Sequence, residues 1–138
     1  MYDNFINEKN SLYQCDYIIS FCPKYKRKIF DNKDIIKFLT KTFKNIEKEY
    51  NFQIIKLKIE PNQVIMNVRC NPTFGINKVV TKLKDISAKE LKNEFPSLEK
   101  RVPCIWTRDT FIQTIGSLDE QALEYFFKIQ EKYNQKGD

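Results

Sequence analysis

Between Tyr13 and Phe21 the odd positions Tyr13, Cys15, Tyr17, Ile19 and Phe21 are apolar, the period-two pattern of a strand with one buried face, and Pro23 ends it. Asp31 and Asn32 then offer N-caps to a helix whose apolar positions Ile35, Leu39, Phe43, Ile46 and Tyr50 recur at steps of three or four. Alternation resumes from Gln53 to Glu60, with Ile55, Leu57 and Ile59 against Lys56, Lys58 and Glu60, and Pro61 and Asn62 make a turn. A third strand runs from Gln63 to about Cys70. Val64, Met66, Val68 and Cys70 face one way in it, and Gln63, Ile65, Asn67 and Arg69 the other. After Asn71 and Pro72 a second helix begins near Phe74 and Gly75, carries Ile76, Val79, Val80, Leu83 and Ile86 on one stripe, and fades near Phe95 and Pro96. Threonines and aromatics between Val102 and Ile115 predict a fourth strand, broken around Arg108 and Asp109. Ser117 to Glu120 fits a capping box, and Ala122, Leu123, Phe126, Phe127 and Gln130 follow at helical spacing.

The order strand, helix, strand, strand, helix, strand, helix suits an α+β sandwich of ferredoxin-like type. Its sheet of about four strands is mainly antiparallel, with helices packed on it and a C-terminal helix. At 138 residues, with no linker or repeat, the chain is expected to form one domain over 1–138, with 1–10 as a flexible N-terminal tail.

Composition narrows the chemistry. An apolar fraction of 41% belongs to a globular chain, and no apolar run approaches the roughly 20 residues of a membrane span. The polar, partly acidic start lacks the layout of a signal peptide, so a cytoplasmic protein is expected. Histidine is absent, which removes the commonest general base and metal ligand. Cys15, Cys22, Cys70 and Cys104 lack any C-x-x-C spacing, so they are expected to be reduced thiols without zinc. A net charge of +6 favours a polyanionic partner. The densest run, Lys24, Tyr25, Lys26, Arg27 and Lys28, lies where the chain leaves its first strand. Taken alone, such a run is a solvated loop.

Several segments together resemble one family, the TnpA-like single-tyrosine HUH transposases of small bacterial insertion sequences. The stretch from Cys15 to Lys28 is similar to the family's opening strand and its C-P-K-Y-R-R-K turn, and Asn71 to Gly75 to its lead into the second helix. Glu94, Phe95, Leu98, Pro103, Trp106, Thr107, Phe111, Ile112, Thr114, Ile115 and Gly116 follow in the family's order. The likeness extends from about Tyr13 to Gln130.

The resemblance implies a fold that cuts single-stranded DNA beside hairpins through a tyrosine, with Mg²⁺ or Mn²⁺ held by a His-hydrophobic-His motif on a central strand. Residues i and i+2 of a strand share a face, which lets two imidazoles grip one ion. Counted back from Pro72, the equivalent positions are Gln63, Val64 and Ile65. Gln63 offers one neutral amide oxygen and Ile65 nothing, so the divalent-metal site is expected to be lost and no cofactor is expected. Aligning Gly116 and Gln130 puts the nucleophile position at Phe126, which has no oxygen to attack phosphorus. Tyr125 is about 100° away around the helix and reads as a packing tyrosine, Tyr133 lies two turns on, and Gln130 remains as a remnant.

The family's dimers join two sheets and lay a hairpin across a basic surface. The corresponding positions here are Lys24, Lys26, Arg27, Lys28, Lys82, Lys84 and Arg108, with Tyr25 placed to stack on an unpaired base. The expectation is an inactive, transposase-like homodimer that binds hairpin or single-stranded DNA, or RNA. One alternative is a divergent nickase using Tyr125 or Tyr133 with a metal held by acidic residues such as Glu60. Another is a partner subunit of an active transposase or of another protein.

Overall fold

The computed structural model describes residues 5–8 and 11–135, the side chains of residues 99 and 131–135 excepted. The chain divides into two compact units, Cys15–Ile115 and a second composed of Met1–Gln14 with Gly116–Asp138.

In the second unit, β1 (Ile6–Glu8) pairs antiparallel with β2 (Ser11–Tyr13). The Tyr13 hydroxyl donates to Glu8 Oε1 at 2.6 Å. Where sequence patterning expects a tail over 1–10, Ile6–Glu8 is therefore a strand. Tyr13 belongs to this hairpin and not to the next strand.

The larger unit begins with β3 (Asp16–Phe21), which a loop joins to α1 (Lys33–Tyr50). Asn32 caps α1 by accepting from the Asp34 amide at 2.8 Å, and Asn51 ends it in the left-handed region at φ 55°. The stripe Ile35, Leu39, Phe43 and Ile46 is buried, as its spacing predicts.

Next come β4 (Gln53–Glu60) and β5 (Gln63–Arg69), a hairpin closed by Pro61 and Asn62. Simple alternation expects Ile55 inside. Instead a bulge falls between Ile54 and Lys56, so Ile54 packs on the core and Ile55 stands 42% exposed. In β5, Val64, Met66 and Val68 are buried, and Gln63, Ile65, Asn67 and Arg69 point to the other face.

Gly75, at φ 85°, opens α2 (Ile76–Glu94); the side chain of Asn71 accepts from the Thr73 and Phe74 amides just before it. A short α3 (Ser97–Arg101) follows, unsignalled by periodicity, and then an irregular stretch. The last strand, β6, covers only Phe111–Ile115, shorter than the predicted 102–115.

The strand order is β4-β5-β3-β6, antiparallel throughout. It is the ferredoxin-like arrangement, with β6 on one edge. Helices α1 and α2 pack on one face, where Ile19, Phe21, Phe43, Leu39, Val64, Met66, Leu83 and Leu91 form the core. Fully burying each such side chain contributes roughly 1.5–3 kcal/mol.

The C-terminal helix α4 (Glu120–Gln135) belongs to the smaller unit. Asp119, not Ser117, caps it: its Oδ1 accepts from the Gln121 and Ala122 amides, both at 3.1 Å. Among the described residues no helix is long and apolar enough to cross a membrane.

Candidate nucleic-acid interface

Two loops of the larger unit are zipped together at the end of β3. The Lys24 amide donates to the Ile105 carbonyl at 2.8 Å, the Thr107 amide donates to the Cys22 carbonyl at 3.0 Å, and Pro23 bridges Trp106. Trp106 anchors the second loop. Its indole is buried, meets Phe21 edge-on at 4.7 Å between centroids, and donates its N–H to Ser87 Oγ at 3.0 Å. The sequence patterning placed Trp106 in a strand; it is a plug that ties loop to core.

The first loop turns sharply. Lys24–Lys26 form one 3₁₀ turn, and Tyr25 (φ 61°) and Lys26 (φ 53°) are both left-handed, a conformation that side-chain-bearing residues rarely adopt. Backbone bonds hold it, from the Lys26 amide to the Pro23 carbonyl at 2.9 Å and from the Ile29 amide to the Arg27 carbonyl at 2.9 Å. The turn throws the Tyr25 ring outward, 76% exposed, with Lys24 Nζ and Arg27 Cζ at 5.8 and 5.9 Å from its centroid. Lys26, Arg27 and Lys28 are exposed alongside.

The remaining predicted contacts divide. Arg108 is exposed on the second loop, next to Thr107, whose amide ties that loop to the first. Lys84 reaches the same loop from α2, but its ammonium is engaged. It donates to the carbonyls of Thr107 and Asp109 at 3.0 Å each and of Arg108 at 3.4 Å, and lies over the Phe21 ring at 5.5 Å. Burial pushes its pKa below the ordinary lysine value, and the carboxylates of Asp109 and Asp85 oppose that. Lys84 is thus a clamp that shapes the loop.

Lys82, two residues away and so turned to another side of α2, lies over Tyr50 at 5.1 Å. Tyr50 is the last residue of α1, so Lys82 faces the end of that helix and not the Thr107 loop that Lys84 engages.

One cation that local patterning missed comes close. Arg101 donates to the Lys28 carbonyl at 3.2 Å and pairs with Asp31 at 3.3 Å. Only the tertiary fold brings α3 to that loop.

The positions aligned with the metal-binding motif lie on β5, Gln63 and Ile65 on the sheet face away from α1 and α2. Gln63 donates its amide to Ser20 Oγ at 3.0 Å, Val64 is buried in the core, and Ile65 stands between Ser20 and Lys58 in register. Glu60, opposite Gln63, has its carboxylate 3.3 Å from Lys58 Nζ. Among the described residues no group of three or more Cys, Asp or Glu could hold a metal ion. Phe126 lies on α4 in the smaller unit, its ring 6.3 Å from that of Phe127. Tyr125 beside it is 39% exposed and Gln130 is exposed, whereas the side chain of Tyr133 lies outside the described residues.

No curated protein matches the chain. Among solved structures, a candidate transposase from Deinococcus radiodurans R1 is similar at a TM-score of 0.74 with 17% identity, over 91% of this chain and 97% of that one. The REP-associated tyrosine transposase bound to a REP hairpin is similar at 0.57 with 10% identity, over 96% of this chain and 75% of that one. At such identities the likeness is one of fold. The sequence itself, over residues 11–130, matches the profile of the family described as IS200-like transposases, and the chain belongs to that family.

Proposed function

We propose that this chain is a transposase-like protein that binds hairpin or single-stranded DNA, or RNA, as a homodimer and does not cut it. The observation that carries the reading is a contrast within the molecule. The two loops that present Lys24, Lys26, Arg27, Lys28 and Arg108 are tightly built, whereas the positions that the resemblance aligns with the cleavage motifs hold Gln63, Ile65 and Phe126. A divalent ion such as Mg²⁺ or Mn²⁺ requires several oxygen or imidazole ligands. An amide that donates to Ser20 beside an isoleucine does not fit it, and we assign no step to a metal. Phe126 brings hydrocarbon where a phosphate must be attacked. The likeness to a transposase bound to a hairpin supports a nucleic-acid partner.

The edge strand β6, Phe111–Ile115, supports a dimer of joined sheets. It carries no charge and no proline, and Phe111, Ile112 and Ile115 are 56%, 38% and 40% exposed. Edges that stay unpaired are usually blunted by lysine or proline.

Labelled hairpins and single strands, titrated with the protein at low and raised salt, test binding, and a denaturing gel after incubation with Mn²⁺ tests cutting. Salt-sensitive binding without a covalent adduct is expected. An adduct overturns the assignment of inactivity and favours Tyr125 or Tyr133 as nucleophile; no affinity at low salt overturns the function altogether.

A further inference from the structure

The outer face of α1 carries a row of charge that belongs to neither loop. Lys33, Lys37, Lys41, Lys44 and Lys48 follow one another at steps of three or four, and all are exposed. At about 100° per residue they fall within an arc of roughly 80°, on the side of the helix opposite Ile35, Leu39, Phe43 and Ile46, which face the core. The row is straight and runs about 22 Å from Lys33 to Lys48.

Nothing on the helix neutralises it. Positions three or four apart are neighbours on a helix surface, where opposite charges attract and like charges repel. Here each neighbouring pair, from Lys33 and Lys37 to Lys44 and Lys48, is like-charged. The acidic residues of α1, Asp34, Glu47 and Glu49, lie outside the arc, and Glu47 is engaged elsewhere, accepting from the Ile54 amide at 2.5 Å. Among the described residues none of the five lysines is paired with a carboxylate. The helix therefore holds the row against its own repulsion, which a bound polyanion would relieve.

The form of the row selects the polyanion. Only lysines fall within the arc, so a protein partner would find none of the apolar or aromatic anchors on which such interfaces depend. A membrane surface is engaged by a helix with an apolar face to insert, and the apolar stripe of α1 is buried in the core. A nucleic-acid duplex needs neither. It presents about one charge per 1.7 Å of its axis, and lysines that meet its phosphates bind by releasing counterions, without reading a base.

We propose that the lysine row of α1 is a second nucleic-acid surface, which holds the phosphate backbone of a duplex irrespective of sequence. This goes beyond the proposed function, since the row takes a plain duplex, with neither loop nor unpaired strand, and uses none of the loop residues.

The experiment uses a blunt linear duplex of two helical turns, as DNA and as RNA. Binding is followed by fluorescence anisotropy over a salt series for three proteins: the wild type, a row variant with Lys37→Gln, Lys41→Gln and Lys44→Gln, and a control with Lys89→Gln, Lys100→Gln and Lys128→Gln. The control loses the same charge from lysines that are exposed but scattered. The wild type is expected to bind both more tightly and more salt-sensitively than the row variant. For the row variant the expected affinity at low salt is at least tenfold lower, with a slope of log K against log salt shallower by roughly 2–3, three lost contacts at about 0.7–0.9 each. The control is expected to keep most of the wild-type slope, and the duplex bound more tightly names the backbone. Melting of the free proteins checks the fold; relief of repulsion makes a melting temperature at or above that of the wild type the expected result for the row variant. If row and control variants weaken binding equally, net charge alone is responsible and the surface is refuted. A wild type that binds hairpins but not the linear duplex also refutes it, and leaves the proposed function standing. A wild type that binds the duplex through the row, with no preference for a hairpin over it, removes the role given to the loops and leaves the row standing.

Discussion

Lys84 donates its ammonium to the Thr107 carbonyl at 3.0 Å, and through that contact α2 sets the course of the loop that presents Arg108. Arg108 and Lys84 are both basic residues near the cluster, but only Arg108 has its charge directed outward.

Replacing Lys84 by Met keeps the length of the side chain and removes the donor. Charge-assisted hydrogen bonds contribute roughly 1.5–3 kcal/mol, and partial exposure of the loop places the expected loss near the lower bound, about 1.5 kcal/mol. Urea unfolding measures it. In a salt titration of nucleic-acid binding, Lys84→Met is expected to leave the slope of log K against log salt unchanged. Arg108→Ala is expected to make it shallower by roughly 0.7–0.9, the value for one lost phosphate contact. Equal slopes for the two variants would refute this division of roles.

Tyr25→Gly is expected to stabilise the protein while impairing binding. A side chain in the left-handed region costs roughly 1–2 kcal/mol, and the greater freedom of glycine in the unfolded chain offsets about 0.5–1 of that. The net gain, about 0.5–1 kcal/mol, raises the melting temperature by a few degrees. A melting temperature below that of the wild type would mean that the ring supports the turn rather than straining it.

Ile112→Lys places a charge in the exposed edge strand β6, opposite Ile19 in register. Light scattering coupled to size exclusion is expected to report a dimer for the wild type and a monomer for the variant, since a charged edge resists sheet-to-sheet pairing. A dimer that survives the change would move the interface away from β6.

The helices and β5 were legible from sequence because their apolar residues recur at one clear period: Ile35, Leu39, Phe43 and Ile46 are buried as spaced, as are Val64, Met66 and Val68. The alignment of Gln63, Val64 and Ile65 was counted back from Pro72 and that of Phe126 taken from Gly116 and Gln130, landmarks of the resemblance that need no fold to locate. What failed to show was non-local. The bulge at Ile55 breaks the period that patterning assumes, and α3 is too short to display one. Trp106 and Phe111 look alike in a β-propensity reading, but only Phe111 finds a partner strand. The roles of Lys84 and Lys82 depend on which side of α2 faces Thr107 and which faces Tyr50, and the spacing of lysines carries no such information. The left-handed turn at Tyr25 has no glycine to announce it.

Burial of Cys70, helped by neighbouring Cys15 and Asp16, pushes its thiol up to about 11 from an ordinary 9.0. The folded state then keeps a proton that the unfolded chain releases, so stability is full below pH 9 and falls as pH rises between the two values. At pH 10 the expected loss is about 1 kcal/mol. Cys70→Ala is expected to lower stability at neutral pH through its cavity but to remove this portion of the alkaline decline. Parallel urea melts of both proteins at pH 8 and pH 10 check it; identical declines would assign the effect elsewhere.

On the sheet face away from α1 and α2, Arg69 on β5 makes a two-pronged pair with Asp16 on β3, at 2.7 Å through Nε and 2.8 Å through Nη2. The side chains are only 12% and 11% exposed, and Asp16 lies directly opposite Arg69 in the antiparallel register. The hydrogen bond to Asp16 raises the Arg69 pKa above its already high ordinary value, so the guanidinium keeps its charge. Removing one partner leaves a poorly solvated charge, which typically costs 3–5 kcal/mol; removing both need not, because neither desolvation penalty remains. Arg69→Met is therefore expected to destabilise the fold by about 3 kcal/mol, and Asp16→Leu with Arg69→Met to recover most of that loss, both read from urea unfolding. If the double variant is as unstable as Arg69→Met alone, the pair does not act as a unit, and the sheet depends on Arg69 for contacts other than Asp16.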